Sequence, residues 1–184
     1  RDEANVKSIN ETHLNTKYLP DYLLDENLTA TSRIEDIRSC QFILFCVPSN
    51  SFKEVLNKSA KYIVSDAFLV SATKGIEEEE FLLMSQILEN ETKGHDIGVI
   101  SGPNLAQEIS LNQLTGTVIA SKSKVLQDEC IKMFSSNSFR LYTNDDPYGV
   151  ELGGALKNIY AIACGIADGL DSGENTIGMI MTRG

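Results

Sequence analysis

The sequence predicts an α/β protein in which a mostly parallel sheet is followed by the start of an all-helical region. Apolar runs of strand length alternate with segments of helical period, which is typical of parallel strands joined by crossover helices. The alternation stops at TNDDP, residues 143–147, a cluster of turn-forming residues, and no strand signal follows in residues 148–170. We therefore expect two units, residues 1–146 and residues 147–184.

Six apolar runs are predicted strands, with helical segments between them. QFILFCV is the strongest strand signal, because an uninterrupted apolar run ended by Pro48 suits a strand buried on both faces. The predicted strands are residues 28–31, 42–47, 68–72, 97–101, 117–121 and 139–142. The predicted helices are residues 4–15, 32–38, 51–62, 78–90, 104–111 and 123–134, and the acids at 77–80 are expected in the first turn of the fourth helix.

The charge balance restricts the partners. Of the 184 residues, 26 are acidic and 16 basic, giving a formal charge of −10. A chain this acidic, without a Lys/Arg cluster, has no positive surface for nucleic acid or for an anionic membrane. We expect no membrane span, because no apolar run approaches the necessary length. An anionic ligand would have to be bound by a few placed cations and backbone amides.

The cysteines and histidines give no sign of a metal site. The four cysteines lack the spacing of a zinc finger. His13 and His95 have neither the spacing of metal ligands nor the serine and aspartate partners of a catalytic histidine. We therefore expect a reduced, cytoplasmic protein with no metal. Because the sequence begins with Arg1 rather than methionine, we expect it to be part of a longer chain.

Two turns at strand ends are candidate ligand contacts, since ligands of open parallel sheets bind beyond the carboxyl ends of the strands. In TKGIE, Lys74 stands beside Gly75; the ordinary alternative is a solvated surface lysine. In SGPNLAQE, Gly102 precedes a helix whose first turn would offer free N–H groups to an anion. The alternative there is a plain strand-to-helix turn.

The segment GVELGGALKN places three glycines in a predicted helix. Each costs about 1 kcal/mol against alanine, so we expect something to approach closely. Lys157 lies four residues after Gly153 and four before Ala161, on a stripe of small residues that indicates a pocket wall. The alternative is a tightly packed helix whose lysine reaches out to water.

Taken together, VPSNSF, ATKG, SGPNLAQE, GVELGGALKN and NTIGMIMTRG resemble, in this order, the bacterial type of NAD(P)-dependent glycerol-3-phosphate dehydrogenase. The resemblance covers essentially the whole chain. It implies a partial NAD(P)-binding Rossmann-like domain, lacking its first strands, followed by the start of a helical substrate-binding domain. No G-x-G-x-x-G motif is present, so the family's glycine-rich pyrophosphate loop is missing, as is its later Ser-Arg-Asn substrate segment.

The resemblance implies catalytic roles for two lysines. Lys157 would be the proton acceptor for the secondary hydroxyl of sn-glycerol 3-phosphate, with Asn158 beside it at the substrate. Lys74 would contact both substrate and cofactor, and would be the neighbouring cation that helps a lysine to act as a base. Gly102 and Asn104 would contact the substrate, although the family usually has serine or threonine at the position of Asn104.

For the cofactor, NADPH or NADH, the resemblance implies contacts from Ala106 and Phe52, and from Arg1 near the adenosine 2′-phosphate. The implied reaction interconverts sn-glycerol 3-phosphate and dihydroxyacetone phosphate for glycerophospholipid synthesis. Two alternatives stay open: another two-domain dehydrogenase, of the 6-phosphogluconate or hydroxyacyl type, and an inactive binding or scaffold fragment. GALKN and SGPNLA argue against the first. A homodimer is compatible with the sequence.

Overall fold

The computed structural model describes residues 2–183. The strands are β1 (Leu14–Asn15), β2 (Leu19–Leu23), β3 (Phe42–Phe45), β4 (Phe68–Ser71), β5 (Ile97–Ser101), β6 (Thr115–Ser121) and β7 (Phe139–Asn144). The α-helices are α1 (Glu3–Thr12), α2 (Ser49–Ser59), α3 (Met84–Glu91), α4 (Ala106–Ser110), α5 (Lys124–Phe134), α6 (Pro147–Gly169) and α7 (Glu174–Arg183). Two short 3₁₀ segments are Ile34–Ser39 and Ala60–Tyr62.

The central sheet has five strands in the order β3-β4-β5-β6-β7. Pairing is parallel between β3 and β4, β4 and β5, and β6 and β7, whereas β5 and β6 are antiparallel. β1 and β2 form a separate antiparallel pair. A mostly parallel sheet followed by two helices confirms the predicted fold class. Strands β3, β4 and β5 therefore end at one edge of the sheet, and β6 and β7 end at the opposite edge.

The core lies on both faces of this sheet. Leu69 and Val70 are adjacent in β4, and since neighbouring side chains of a strand point to opposite faces, they enter different clusters. Leu69 packs in the cluster that includes residues of α2 and α3, and Val70 in the cluster that includes residues of α5. Burying one such side chain contributes about 1.5–3 kcal/mol, so the crossover helices hold the strand ends in place.

Four details of the predicted elements are wrong. QFILFCV does not form a strand buried on both faces, because its strand β3 lies at the edge of the sheet and Leu44 in it is 38% exposed. Residues 28–31 form no strand, and the short strands β1 and β2 were not predicted. The fourth helix begins at Met84, not at residue 78, so the acids of residues 77–80 lie in the loop before it. There the Glu77 carboxylate accepts hydrogen bonds from the backbone N–H groups of Glu79 (3.0 Å) and Glu80 (2.7 Å), which stabilises a turn.

Helix α6 begins where the turn cluster ends. Asp146 is its N-cap, its Oδ1 accepting from the backbone N–H of Gly149 at 3.0 Å, and Pro147 occupies the first turn, where proline is tolerated. With 23 residues and a mean hydropathy of 1.2, α6 is long and apolar enough to cross a membrane by length and composition alone. The expectation that no segment reaches that length therefore has one exception. In this structure 11% of that apolar stretch is buried, whereas the core helix of a soluble protein is mostly buried.

Candidate active site

The carboxyl ends of β4 and β5 bring two predicted site segments together. Lys74 follows β4, and its Nζ donates a hydrogen bond to the backbone oxygen of Gly102, just after β5, at 2.9 Å. Partial burial, and then the positive charge of Lys157, lowers the pKa of Lys74. The positive charge of Lys157 thus acts on Lys74, the residue that joins the turns after β4 and β5.

The turn after β5 packs directly on β6. A Cβ on Gly102 would lie 2.6 Å from Oγ1 and 2.9 Å from Cα of Thr117, so only glycine fits without moving the backbone. Asn104 Nδ2 donates to Thr117 Oγ1 at 3.2 Å, and Thr117 Oγ1 donates to the backbone oxygen of Ser101 at 3.0 Å. The buried Thr117 hydroxyl therefore links β5 to Asn104.

Thr117 is a site residue that the sequence did not reveal. A threonine in a strand is ordinary, and its contact with the Gly102–Asn104 turn depends on the antiparallel register of β5 and β6, in which Ser101 pairs with Val118. No local signal in the sequence specifies that register.

The turns after β3 and β4 are also joined. Gly75 has a φ of +144°, and a Cβ there would lie 2.7 Å from both Cβ and Oγ of Ser49. The Thr73 hydroxyl donates to the backbone oxygen of Val47 at 2.7 Å. The absence of a side chain at Gly75 thus lets Ser49, the first residue of α2, pack against the loop. This contact holds Lys74 in a fixed loop.

Two of the three glycines in GVELGGALKN make a close approach; a Cβ on Gly149 would collide with the carboxylate of Asp146, the N-cap of the same helix. A Cβ on Gly154 would lie 2.7 Å from Ser101 Oγ, whereas a Cβ on Gly153 would meet no atom within 4 Å. The prediction that GVELGGALKN packs closely is confirmed for Gly154 and wrong for Gly153. Lys157 and Asn158, one turn further along α6, are exposed.

The expectation that the turn after Gly102 offers free amides to an anion is wrong in part. The backbone N–H of Asn104 donates to Gly102 O at 2.9 Å, and that of Leu105 donates to Pro103 O at 3.1 Å. Helix α4 is only five residues long and begins at Ala106, which is exposed. Substrate contacts from this turn would therefore come from the Asn104 side chain more than from its N–H.

The remaining cofactor predictions have different outcomes. Phe52 is 0% exposed and packs on Phe45 with ring centroids 5.4 Å apart, so the structure places its ring in the core and leaves no face open to a ligand. Arg1 lies outside the described residues. Within residues 2–183, no three His, Cys, Asp or Glu side chains lie together as a metal site would require.

Comparison with known families agrees with this arrangement. The family model described as NAD-dependent glycerol-3-phosphate dehydrogenase N-terminus matches residues 1–127. The chain belongs to the NAD-dependent glycerol-3-phosphate dehydrogenase family. The model of this family's C-terminus matches residues 146–184. Other two-domain dehydrogenase types are accordingly not favoured.

Relatives within the glycerol-3-phosphate dehydrogenase family match over the full chain. The glycerol-3-phosphate dehydrogenase [NAD(P)+] of Saccharophagus degradans is 48% identical over 188 residues, covering 100% of this chain and 51% of the relative. That of Teredinibacter turnerae is 50% identical over 186 residues, covering 100% and 54%. The chain thus spans about half the length of the curated relatives it matches.

A solved structure supports the same placement in the glycerol-3-phosphate dehydrogenase family. The crystal structure of glycerol-3-phosphate dehydrogenase from Coxiella burnetii superimposes with a TM-score of 0.87 at 34% sequence identity. The match covers 99% of this chain and 56% of the Coxiella chain. The Rossmann-like sheet and the helices after it are therefore shared with that enzyme.

Proposed function

We propose that the complete protein containing this chain interconverts sn-glycerol 3-phosphate and dihydroxyacetone phosphate with NADPH or NADH. The observation that carries the proposal is the hydrogen bond from Lys74 Nζ to the backbone oxygen of Gly102 at 2.9 Å, which joins the turns at the carboxyl ends of β4 and β5. In this proposal residues 1–146 belong to the cofactor-binding domain, and residues 147–184 begin the helical substrate-binding domain.

Lys157 is proposed to be the proton acceptor. As C2 of sn-glycerol 3-phosphate loses its hydride, Lys157 Nζ takes the proton of the C2 hydroxyl, and C2 becomes the ketone of dihydroxyacetone phosphate; in the reverse direction, Nζ returns the proton. When bound, the nicotinamide supplies or accepts the hydride. Asn158 follows Lys157 on an exposed part of α6 and is proposed to orient the substrate.

Lys74 is proposed to bind the anionic substrate. An ammonium carries three N–H donors, so Lys74 can keep its bond to Gly102 O and still donate to a phosphate or hydroxyl oxygen. Asn104, whose amide nitrogen is bonded to Thr117, keeps its side-chain oxygen as an acceptor for a substrate hydroxyl. Local cations of this kind would allow a chain of charge −10 to bind an anion.

Part of the cofactor site is proposed at the same edge of the sheet. Lys74 and Ala106 follow β4 and β5 and are exposed, which suits contacts with a dinucleotide that binds beyond parallel strands. Phe52 would support the strand ends from within the core, since its ring has no open face. A contact from Arg1 to the adenosine 2′-phosphate stays a prediction.

The cellular role belongs to the proposal as well. We place the enzyme in the cytoplasm, acting on small molecules for glycerophospholipid synthesis, with a homodimer compatible with its sequence. Its strongly acidic composition supports a protein that does not bind nucleic acid.

The test compares two proteins, this chain and the product of the complete reading frame that encodes it. Each is mixed with NADPH or NADH and dihydroxyacetone phosphate, and the loss of reduced-cofactor absorbance is followed. Dihydroxyacetone without its phosphate is the control substrate. The proposal predicts turnover by the complete product that depends on the phosphate; a complete, folded product that consumes no cofactor would overturn it.

A further inference from the structure

Glu151, near the start of α6, is buried to an extent unusual for a carboxylate. Its exposure is 3%, and it contacts α3, an element more than sixty residues earlier in the chain. The Ser85 backbone N–H donates to Oε1 at 3.2 Å and to Oε2 at 3.3 Å, and the Ser85 hydroxyl donates to Oε2 at 2.5 Å. Burial raises the pKa of Glu151, while hydrogen bonds from Ser85 and from the backbone N–H of Met84 act in the opposite direction.

These bonds make Glu151 the N-terminal cap of α3. The residue at the N-cap position of α3 is Leu83, whose side chain has no acceptor atom. Met84 and Ser85 are the first two residues of the helix, and their N–H groups have no partner within it. The negative charge of Glu151 also suits the positive end of the helix dipole.

Two further contacts fix the same part of α6. The Tyr148 hydroxyl donates to Glu89 Oε2 at 2.5 Å, which ties the first turn of α6 to the last turn of α3. One turn after Glu151, Gly154 lies against Ser101 at the end of β5. Helix α6 is therefore held both to α3 and to the strand that carries the Gly102 turn.

Helical spacing relates the contacts of Glu151 to the residues of the proposed site. Asn158 is seven residues after Glu151, which places both on one stripe of the helix, about 10 Å apart along its axis. Lys157 is the neighbouring residue. A rotation or shift of α6 that broke the Glu151 bonds would move Lys157 relative to Lys74.

We infer that Glu151 is a positioning residue: by capping α3 it fixes the rotation and height of α6 and thereby the placement of Lys157 relative to the Gly102 turn. The inference rests on the function proposed for Lys157. Glu151 lies six residues before Lys157, between one and two helical turns, and binds α3, so it acts through the placement of the helix and not on the substrate.

Three glutamate variants of the complete product test this role. Glu151→Ala removes the cap; Glu151→Gln keeps the length and one acceptor oxygen; and Glu129→Gln makes the same change at a partly exposed glutamate on α5 that pairs with Lys132. We measure kcat, KM for each substrate and amide hydrogen exchange, below the melting temperature of each variant.

Glu151→Ala should lower kcat at least tenfold, because displacements of about 1 Å at a reacting group can cost up to a hundredfold. Its KM for NADPH should change less than about twofold, since the first domain holds the cofactor in the proposed function. Glu151→Gln should restore most of kcat, and Glu129→Gln should match the wild type. In Glu151→Ala, the amides of Met84 and Ser85 should exchange faster.

A folded Glu151→Ala protein with wild-type kcat would overturn the inference, as would unchanged exchange at Met84 and Ser85. If Glu151→Ala fails to fold, Ser85→Ala, which removes one donor to the carboxylate, takes its place and should lower kcat severalfold; an unchanged kcat would contradict the inference. Should the wild type itself prove inactive, the proposed function fails, and the exchange measurement on the variants still decides whether Glu151 docks α6.

Discussion

Gly154 in α6 lies so close to Ser101 at the end of β5 that a Cβ would come within 2.7 Å of the serine hydroxyl, while its neighbour Gly153 has no atom within 4 Å of such a Cβ. The pair offers a matched comparison. Gly153→Ala should stabilise the protein by about 1 kcal/mol, the usual helix preference for alanine over glycine. Gly154→Ala should increase the free energy of unfolding by clearly less, because the Ser101 hydroxyl must turn away from the new Cβ. Denaturant unfolding measures both, and equal gains would show that α6 does not pack on β5.

The Thr117 hydroxyl is expected to hold Asn104 in place. Thr117→Val keeps the shape of the side chain but removes the acceptor of Asn104 Nδ2, at a cost of about 0.5–1.5 kcal/mol, the usual net contribution of a hydrogen bond, since the exposed Asn104 amide can bond to water instead. KM for dihydroxyacetone phosphate should rise in the complete product. Thr117→Ser keeps the hydroxyl and should leave KM near the wild-type value. Equal KM values for Thr117→Val and Thr117→Ser would contradict a role for the Thr117 hydroxyl in positioning Asn104.

Gly102 should tolerate no side chain. In Gly102→Ala the Cβ would meet Cα of Thr117 at 2.9 Å, and backbone cannot rotate away, so we expect a loss of about 1–3 kcal/mol in stability together with reduced activity. Gly116→Ala is the control. Gly116 lies on β6 next to Thr117, and a Cβ there would lie 3.5 Å from Tyr142 Cε2, an ordinary contact. Thermal unfolding of the two variants should separate them; a fully stable Gly102→Ala would contradict the close packing.

The lowered pKa of Lys74 predicts a pH dependence of substrate binding. Its folded pKa lies below the ordinary 10.5, because of burial and then of Lys157, so the ammonium is lost at a lower pH than in a free lysine. KM for dihydroxyacetone phosphate should therefore rise with increasing pH before an ordinary lysine begins to lose its charge. Lys74→Arg, which stays charged, should show a flatter profile even if its KM is higher. Parallel profiles for both proteins would exclude Lys74 as the titrating group.

Much of the fold could be predicted from periodicity. Apolar runs such as QFILFCV located the strands of the five-stranded sheet, although QFILFCV forms its edge strand β3, and the change after residue 142 located α6. Strand direction could not be predicted, because an apolar run such as TVIAS has the same pattern whether it runs parallel or antiparallel to its neighbour. The acidic run 77–80 suited a helix start by charge alone, but hydrogen bonds to Glu77 favour a turn there instead.

The site divides in the same way. Lys74 stood out beside Gly75 at a strand end, and Lys157 stood out on a stripe of small residues within a predicted helix. Thr117 and Glu151 gave no such signal, since their importance depends on partners sixteen and sixty-six residues away. A carboxylate on a helix is ordinarily solvated, and its burial becomes visible only when α3 is placed against α6.

The most direct test of the account is the turnover of Lys157→Ala in the complete product, measured as cofactor oxidation with saturating dihydroxyacetone phosphate. Lys157→Ala removes the proposed proton acceptor, and general acid–base catalysis contributes about 10²–10⁴-fold, so kcat should fall by at least a hundredfold while the protein keeps its fold and its affinity for NADPH. A Lys157→Ala protein that retained the kcat of the wild type would contradict the account.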